Sequence, residues 1–352
     1  MYKKFFMGIA AMAALTLVSC SSDDLNSLSD NSSKNEAISF DGYWGRSAVS
    51  VNGSRGSVID KAEDLQKVSE GFGVFGNYSS TDEEAFGSNL FENQKVTYST
   101  EETKWTYSPK KYWSPQGHID FLAYAPHVDG TTLKNKSCIE FTVADKAADQ
   151  KDLLWANAAN QTMANNSGTD KKVNFKFGHA LSRLGYTVKT KDADAGTTIT
   201  LNKITLAGSA DGTTKAFYTK GTIDLSKSST STTDLWATSD TDTKQKFDWF
   251  SGTQSLATTY TNPDTEYLFV IPQNFSKTDE NADALYVIVE YTIKYEDKKT
   301  MTNKVSSQLK LNFEQGKAYT LNLTLGLTPI EFDVTTVQGW TDTNQGEINF
   351  WN

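Results

Sequence analysis

Along most of the chain, apolar and polar residues alternate with period two in short runs set off by Gly, Asn, Asp and Ser. That period turns successive side chains to opposite faces and predicts strands. The runs lie at 37–40, 73–78, 94–98, 104–107, 118–124, 173–177, 183–190, 198–206, 215–218, 267–271, 285–295, 305–313, 318–325, 330–334 and 347–351. One segment, 58–68, departs from the pattern. Val58, Ile59, Ala62, Leu65 and Val68 fall near helical spacing there and predict a short helix over a sheet end. Polar stretches at 157–172, 226–244 and 276–284 read as long exposed loops. The class predicted is all-β, and many short strands with regular turn signals point to sandwiches rather than one continuous sheet.

The N-terminus follows a different rule. Lys3 and Lys4 precede an apolar run, 5–18, too short to span a bilayer, and the run ends at Leu17-Val18-Ser19-Cys20. An apolar residue three before the cysteine, small residues next and then a thiol make up what a lipoprotein peptidase requires. Residues 1–19 are therefore read as a signal peptide, cut between Ser19 and Cys20, with lipid fixed to Cys20. One acyl chain holds a protein only marginally, at about 0.8 kcal/mol per buried methylene, so several chains are needed for lasting attachment. Residues 20–36, rich in Ser, Asn and Asp, have too little apolar content to fold and read as a flexible tether. Their aspartates resemble a lipoprotein surface-export signal, which favours the outer face of an outer membrane. The expected membrane contact is through lipid only.

Composition narrows the picture further. Cleavage leaves 333 residues, and because Lys3 and Lys4 are the charges removed, the formal net charge moves from −9 to −11. Such a balance argues against nucleic acid or anionic lipid as a partner. The length suits two sandwiches, assigned to 37–180 and 181–352. With Cys20 lipidated, Cys138 has no intramolecular partner and is expected in a core.

Catalytic signals are missing. The chain has no HExxH, no phosphate-binding Gly-rich loop, no GxSxG elbow and no paired-cysteine zinc pattern, so neither an enzyme, a metal nor a cofactor is expected. His118, His127 and His179 are scattered, and His179 reads as a structural hydrogen-bonding residue rather than a base. Of the eight tryptophans, Trp105, Trp113 and Trp340 sit in strand-like context and read as core, whereas Trp44 and Trp249 are candidates for stacking on sugar rings.

Longer motifs add a resemblance. Gly71-Phe72-Gly73-Val74-Phe75-Gly76, the run 105–115 (Trp105 to Pro115) and Ile119-Asp120-Phe121-Leu122-Ala123-Tyr124-Ala125-Pro126 resemble the N-terminal domain of the fimbrillin, or Mfa-like, family. The run 175–184, with Gly178-His179-Ala180-Leu181 inside it, resembles later landmarks of that family, as do Leu268-Phe269-Val270-Ile271-Pro272-Gln273, the run 313–319 and Val337-Gln338-Gly339-Trp340. The likeness spans about residues 38–340. It implies two transthyretin-like β-sandwich domains in tandem and a structural or adhesive subunit of a cell-surface fimbria, exported as a lipoprotein and assembled by strand exchange after N-terminal proteolysis. The strand to be displaced would hold Ile38 and Phe40. A maturation protease would cut after Arg46 or Arg55, and the donor strand would hold Ile348 and Phe350. Other fimbrial subunits, self or related, are the implied partners, with a host or bacterial surface ligand in an adhesive role. The alternative is a monomeric surface lipoprotein that binds a glycan or host ligand through loops.

Overall fold

The computed structural model describes residues 36–44, 59, 61–166, 172–191, 196–228, 235–239, 243–261, 267–277, 283–326, 331–337 and 345–349. Its first half holds β1 (Ser39–Trp44), helix α1 (Ala62–Lys67), β2 (Phe72–Ser79), β3 (Phe91–Ser99), β4 (Lys104–Thr106), β5 (His118–Ala125), β6 (Cys138–Thr142), β7 (Leu154–Gln161) and β8 (Lys172–His179). Then come β9 (Ser182–Thr190), β10 (Thr198–Ala207), β11 (Phe217–Tyr218), β12 (Lys220–Asp224), β13 (Trp236–Ala237), β14 (Lys244–Gln245) and β15 (Phe247–Ser255). The chain continues through β16 (Leu268–Val270), β17 (Tyr286–Lys294), β18 (Thr300–Gln308), β19 (Ala318–Leu325), β20 (Glu331–Val337) and β21 (Gln345–Asn349). The fold is all-β, as the period-two pattern requires.

Seven strands form the sheet β1-β8-β7-β5-β2-β3-β4. Its middle strand, β5, is buried at all eight positions, so its near-continuous apolar run reflects two covered faces rather than one. Phe121 and Ala123 point into one hydrophobic cluster with Phe40, Phe72, Phe91 and Phe175. Leu122 and Tyr124, facing the other way, join Phe75, Trp155, Leu184, Leu201, Ile223, Phe269 and Leu321 in a second cluster. The second cluster thus draws on residues from both sides of the 180/181 junction. So does the sheet β13-β12-β6, in which Ile139 pairs with Ile223 and Phe141 with Gly221. The remaining sheets are β15-β10-β17-β18, β16-β9-β19-β20-β21 and the pair β11-β14.

Polar side chains hold the halves together in the same place. The Phe269 amide donates to Oε1 of the buried Gln150 at 2.7 Å, whose Nε2 donates to the Ala144 carbonyl at 3.0 Å. Asn157 Nδ2 donates to the carbonyls of Leu225 and Lys227, and Trp236 Nε1 to that of Ala180.

Several elements differ from the sequence pattern. β1 starts at Ser39, and Ala37 makes an isolated bridge to Tyr112 instead. The helix spans only six residues, because Lys61 offers no side-chain cap and Val68 is already extended. Residues 157–161, read as loop, belong to β7: an Asn whose amide is consumed by neighbouring carbonyls looks like a turn residue in sequence. The 226–244 stretch contains β13. β18 runs 300–308 rather than 305–313, because its register is set by pairing with β17, whereas Leu309, Leu311 and Phe313 are buried beyond its end. Cys138 is half-buried at the start of β6, not in a core, and burial still pushes its thiol up.

Replacing Gln150 by Ala removes the side-chain oxygen to which the buried Phe269 amide donates and is expected to cost about 1–3 kcal/mol. The urea midpoint should fall with the slope unchanged. An unmoved midpoint would mean that the bond adds nothing to stability.

Candidate functional site

β1 is an edge strand in the ladder but a core strand in its side chains. Ile38, just before it, is buried, as are Phe40 and Gly42 within it, while Ser39 and Asp41 are half-buried and Tyr43 is exposed. It pairs in parallel with β8, Phe40 opposite Val173 and Gly42 opposite Phe175. A second wall meets the segment just before it: the Ile38 amide donates to the Lys111 carbonyl at 2.9 Å, and the Trp113 amide to the Glu36 carbonyl at 2.9 Å. β1 also packs against β4, the far edge of the same sheet, so that it closes the layer on itself.

Inside this groove Phe40 is the hub. Its ring lies 5.5 Å from Phe91 and 5.5 Å from Phe121, both edge-on, 5.4 Å from Tyr107, and 5.7 Å from Phe175 in a stack. Such aromatic pairs add to what area burial alone supplies. Gly42 is small for a reason: a Cβ there would sit 3.1 Å from the Phe177 ring and 3.4 Å from Leu65 on α1. The Tyr107 hydroxyl donates to the Ile38 carbonyl at 2.7 Å and accepts from the Lys111 amide at 3.3 Å, tying both walls to the strand. Burial pushes that hydroxyl up to about 12.

Beyond β1, the next described residue is Ile59. Its amide donates to Oδ2 of the fully buried Asp152 at 3.4 Å, and His179 Nδ1 lies 2.9 Å from the same oxygen. Asp152 Oδ1 has no partner among the described residues. On β5, Asp120 is also fully buried and uses both oxygens: Oδ2 accepts from Ala85 and faces His118 Nε2 at 3.1 Å, while Oδ1 accepts from Asn160. Both His-Asp pairs pin backbone segments. His127 stacks on Tyr124, and burial pushes its imidazole down.

Of the residues singled out in the sequence, Ile38 and Phe40 come together in the groove. Ile348 lies on β21, opposite Val334 of β20, at the edge of the five-stranded sheet. Ser19, Cys20, Arg46, Arg55 and Phe350 lie outside the described residues. Trp249 is a correction: at 6% exposure and 5.0 Å edge-on from Tyr186 it is a core residue and offers no face to a sugar. The 107–113 wall is the part that strand periodicity does not pick out. Its one sequence signal is Trp105 to Pro115, read above as a family landmark.

A family model described as fimbrillin-like matches residues 61–340. The chain belongs to the fimbrillin-like family. Membership assigns it to fimbrial or adhesion subunits of the cell surface, a structural role. A solved structure agrees on the fold. A fimbrial protein from Bacteroides vulgatus superposes with a TM-score of 0.62 at 22% identity, over 87% of this chain and 100% of that one. A candidate cell adhesion protein from Bacteroides uniformis gives 0.49 at 15% identity, over 87% and 99%. A fimbrial assembly protein from Parabacteroides distasonis gives 0.38 at 12% identity, over 78% and 89%. No curated protein matches the sequence.

Two outcomes follow for this fimbrillin-like groove. Phe40→Ala should cost about 3–5 kcal/mol, read as a lowered thermal or urea midpoint. Tyr107 and Tyr319 are both raised by burial from 10.0 to about 12 in the folded protein, so their contribution is whole below pH 10 and is lost as pH climbs toward 12. Spectrophotometric alkaline titration of Tyr107→Phe should lack one of the late-titrating tyrosines, and an unchanged count would refute the assignment.

Proposed function

We propose that the chain is a fimbrial subunit carried to the surface as a lipoprotein on Cys20 and built into a fibre by strand exchange after proteolysis removes β1. The observation that carries this reading is the placing of β1. It is an edge strand, yet with the residue just before it, Ile38, it supplies the hub Phe40 to the core, and Arg46 follows its last residue by two positions.

Loss of β1 would uncover the ladder edge of β8 and the rings of Phe91, Tyr107, Phe121 and Phe175. Unpaired backbone groups and bare aromatics together make a receptive edge, and an added strand satisfies the groups in a ladder while alternate side chains fill the pockets. Truncating one buried Ile or Phe costs about 2–5 kcal/mol, and emptying two such sites sets a comparable drive toward refilling them. The C-terminal Ile348-Asn349-Phe350 repeats the Ile38-Ser39-Phe40 spacing, so Ile348 and Phe350 of another subunit fit the vacated positions by size and order. In this reading the partners are other fimbrial subunits and the maturation protease, and membrane contact is through lipid until the cut. Two sandwiches, 37–180 and 181–352, give the subunit a receiving half and a donating half.

The N-terminal residue of the protein taken from assembled surface fibres decides the matter. Ser47 marks cleavage at Arg46 and Gly56 cleavage at Arg55, and either supports exchange. A lipidated Cys20 on every copy in the fibre would sink it. Arg46→Ala is expected to leave precursor on the membrane and to shorten the ladder of species in unboiled gels, unless Arg55 serves in its place, which the N-terminus reveals as Gly56.

A further inference from the structure

Among the described residues, few large apolar side chains are exposed, and Tyr112, at 54%, is the most exposed aromatic of them. It forms one wall of a cleft of about 480 Å³ lined by Tyr78, Asn89, Leu90, Tyr112, Ser114 and Ile119. That volume falls within the range of about 300–1,000 Å³ typical of small-ligand sites. The cleft lies beside the β1 groove, and Phe40 and its ring neighbours take no part in its lining.

From its lining we propose that this cleft binds a neutral pyranose saccharide, with the Tyr112 ring as the stacking platform. None of the six side chains is charged, which disfavours an anionic or cationic ligand. The floor, Ile119 and Leu90, is apolar, and Tyr78 and Tyr112 add aromatic surface. A pyranose has an apolar C–H face and a polar rim, and tyrosine, with an apolar body and a polar tip, matches both.

Polar capacity is available at the right places. Asn89 is held rigidly: its Oδ1 accepts from the Tyr78 amide at 2.7 Å and its Nδ2 donates to the Tyr78 carbonyl at 2.9 Å. Each amide atom keeps one further hydrogen-bonding position for a sugar hydroxyl. The Tyr78 hydroxyl donates to the Gln116 carbonyl at 3.1 Å, and the Ser114 hydroxyl accepts from the Gln116 amide at 3.3 Å, so both are oriented while spare capacity remains. Gly117, in the left-handed region at φ +74°, permits this close turn: a Cβ there would sit 3.0 Å from the Tyr78 hydroxyl and 2.3 Å from the Ser79 carbonyl. The Tyr112 backbone is anchored by its bridge to Ala37, while its hydroxyl has no partner among the described residues. In the full, uncleaved chain the walls are therefore preformed, and a ligand orders little on binding.

Saturation-transfer NMR on the full chain tests the proposal, with the methyl glycosides of glucose, galactose, mannose and N-acetylglucosamine each at about 10 mM, enough to detect millimolar binding. Transfer to the ring protons of at least one glycoside is expected. In Tyr112→Ala it should fall at least about tenfold, and in Tyr112→Phe, which keeps the ring, it should persist. Because Tyr112 is exposed, both variants should melt as the parent does. No transfer from any of the four glycosides, or undiminished transfer in Tyr112→Ala, overturns the assignment.

Discussion

Burial of both faces of the seven-stranded sheet is the constraint from which the rest follows. A sheet with two dry faces needs two separate covers. One cover is assembled by the sheet curling on itself, with β1 and α1 closing over Phe72, Phe91, Phe121 and Phe175. The other comes from the second half of the chain, whose strands pack Leu201, Ile223, Phe269 and Leu321 against Phe75, Leu122 and Trp155. Neither half covers its side of the second cluster without the other, so the pairing of β6 with β12 across sequence goes with a shared core.

Two dry faces also determine where the buried polar groups stand. Several backbone amides at strand ends and in loops bond to buried side chains instead of to a neighbouring strand. Asp120 takes up those of Ala85 and Asn160, Gln150 that of Phe269, and Asp152 that of Ile59. Buried carboxylates are costly unless bonded, so each such residue also fixes the path of the segment it serves. Asp152, one of whose oxygens has no partner among the described residues, is the least settled of the set, and through Ile59 it anchors the chain just past the segment that carries Arg46 and Arg55.

How much of this the sequence discloses depends on whether a residue's role is local. Strands with one covered face, such as β8 with Val173, Phe175 and Phe177 inward, repeat with period two and are read directly. β5 is read from its apolar run. β7 and β12 are not: Asn157 and the Lys220-Gly221-Thr222 run look like turn chemistry, because their polar atoms serve partners about 70 residues away or lie beside distant side chains. Trp249 was open to either reading, since an aromatic beside Asp248 and Ser251 looks equally suited to a surface, and only its contact with Tyr186 decides. In the groove, Ile38 and Phe40 are legible by alternation, but the 107–113 wall, held by backbone bonds and the Tyr107 hydroxyl, carries no such period.

β1 is central to the core in its side chains but is attached asymmetrically in its backbone. On one side it has a ladder of six residue pairs with β8; on the other, only the short stretch 36–38 meets 111–113. Nothing in the order β8-β7-β5-β2-β3-β4 runs through it, so its departure breaks one ladder and leaves every other strand pair intact. What it takes away is side-chain packing, concentrated in Phe40 and Ile38. At alternate positions the strand thus places two apolar side chains in the core and, at Gly42, a backbone that runs close to the Phe177 ring and Leu65.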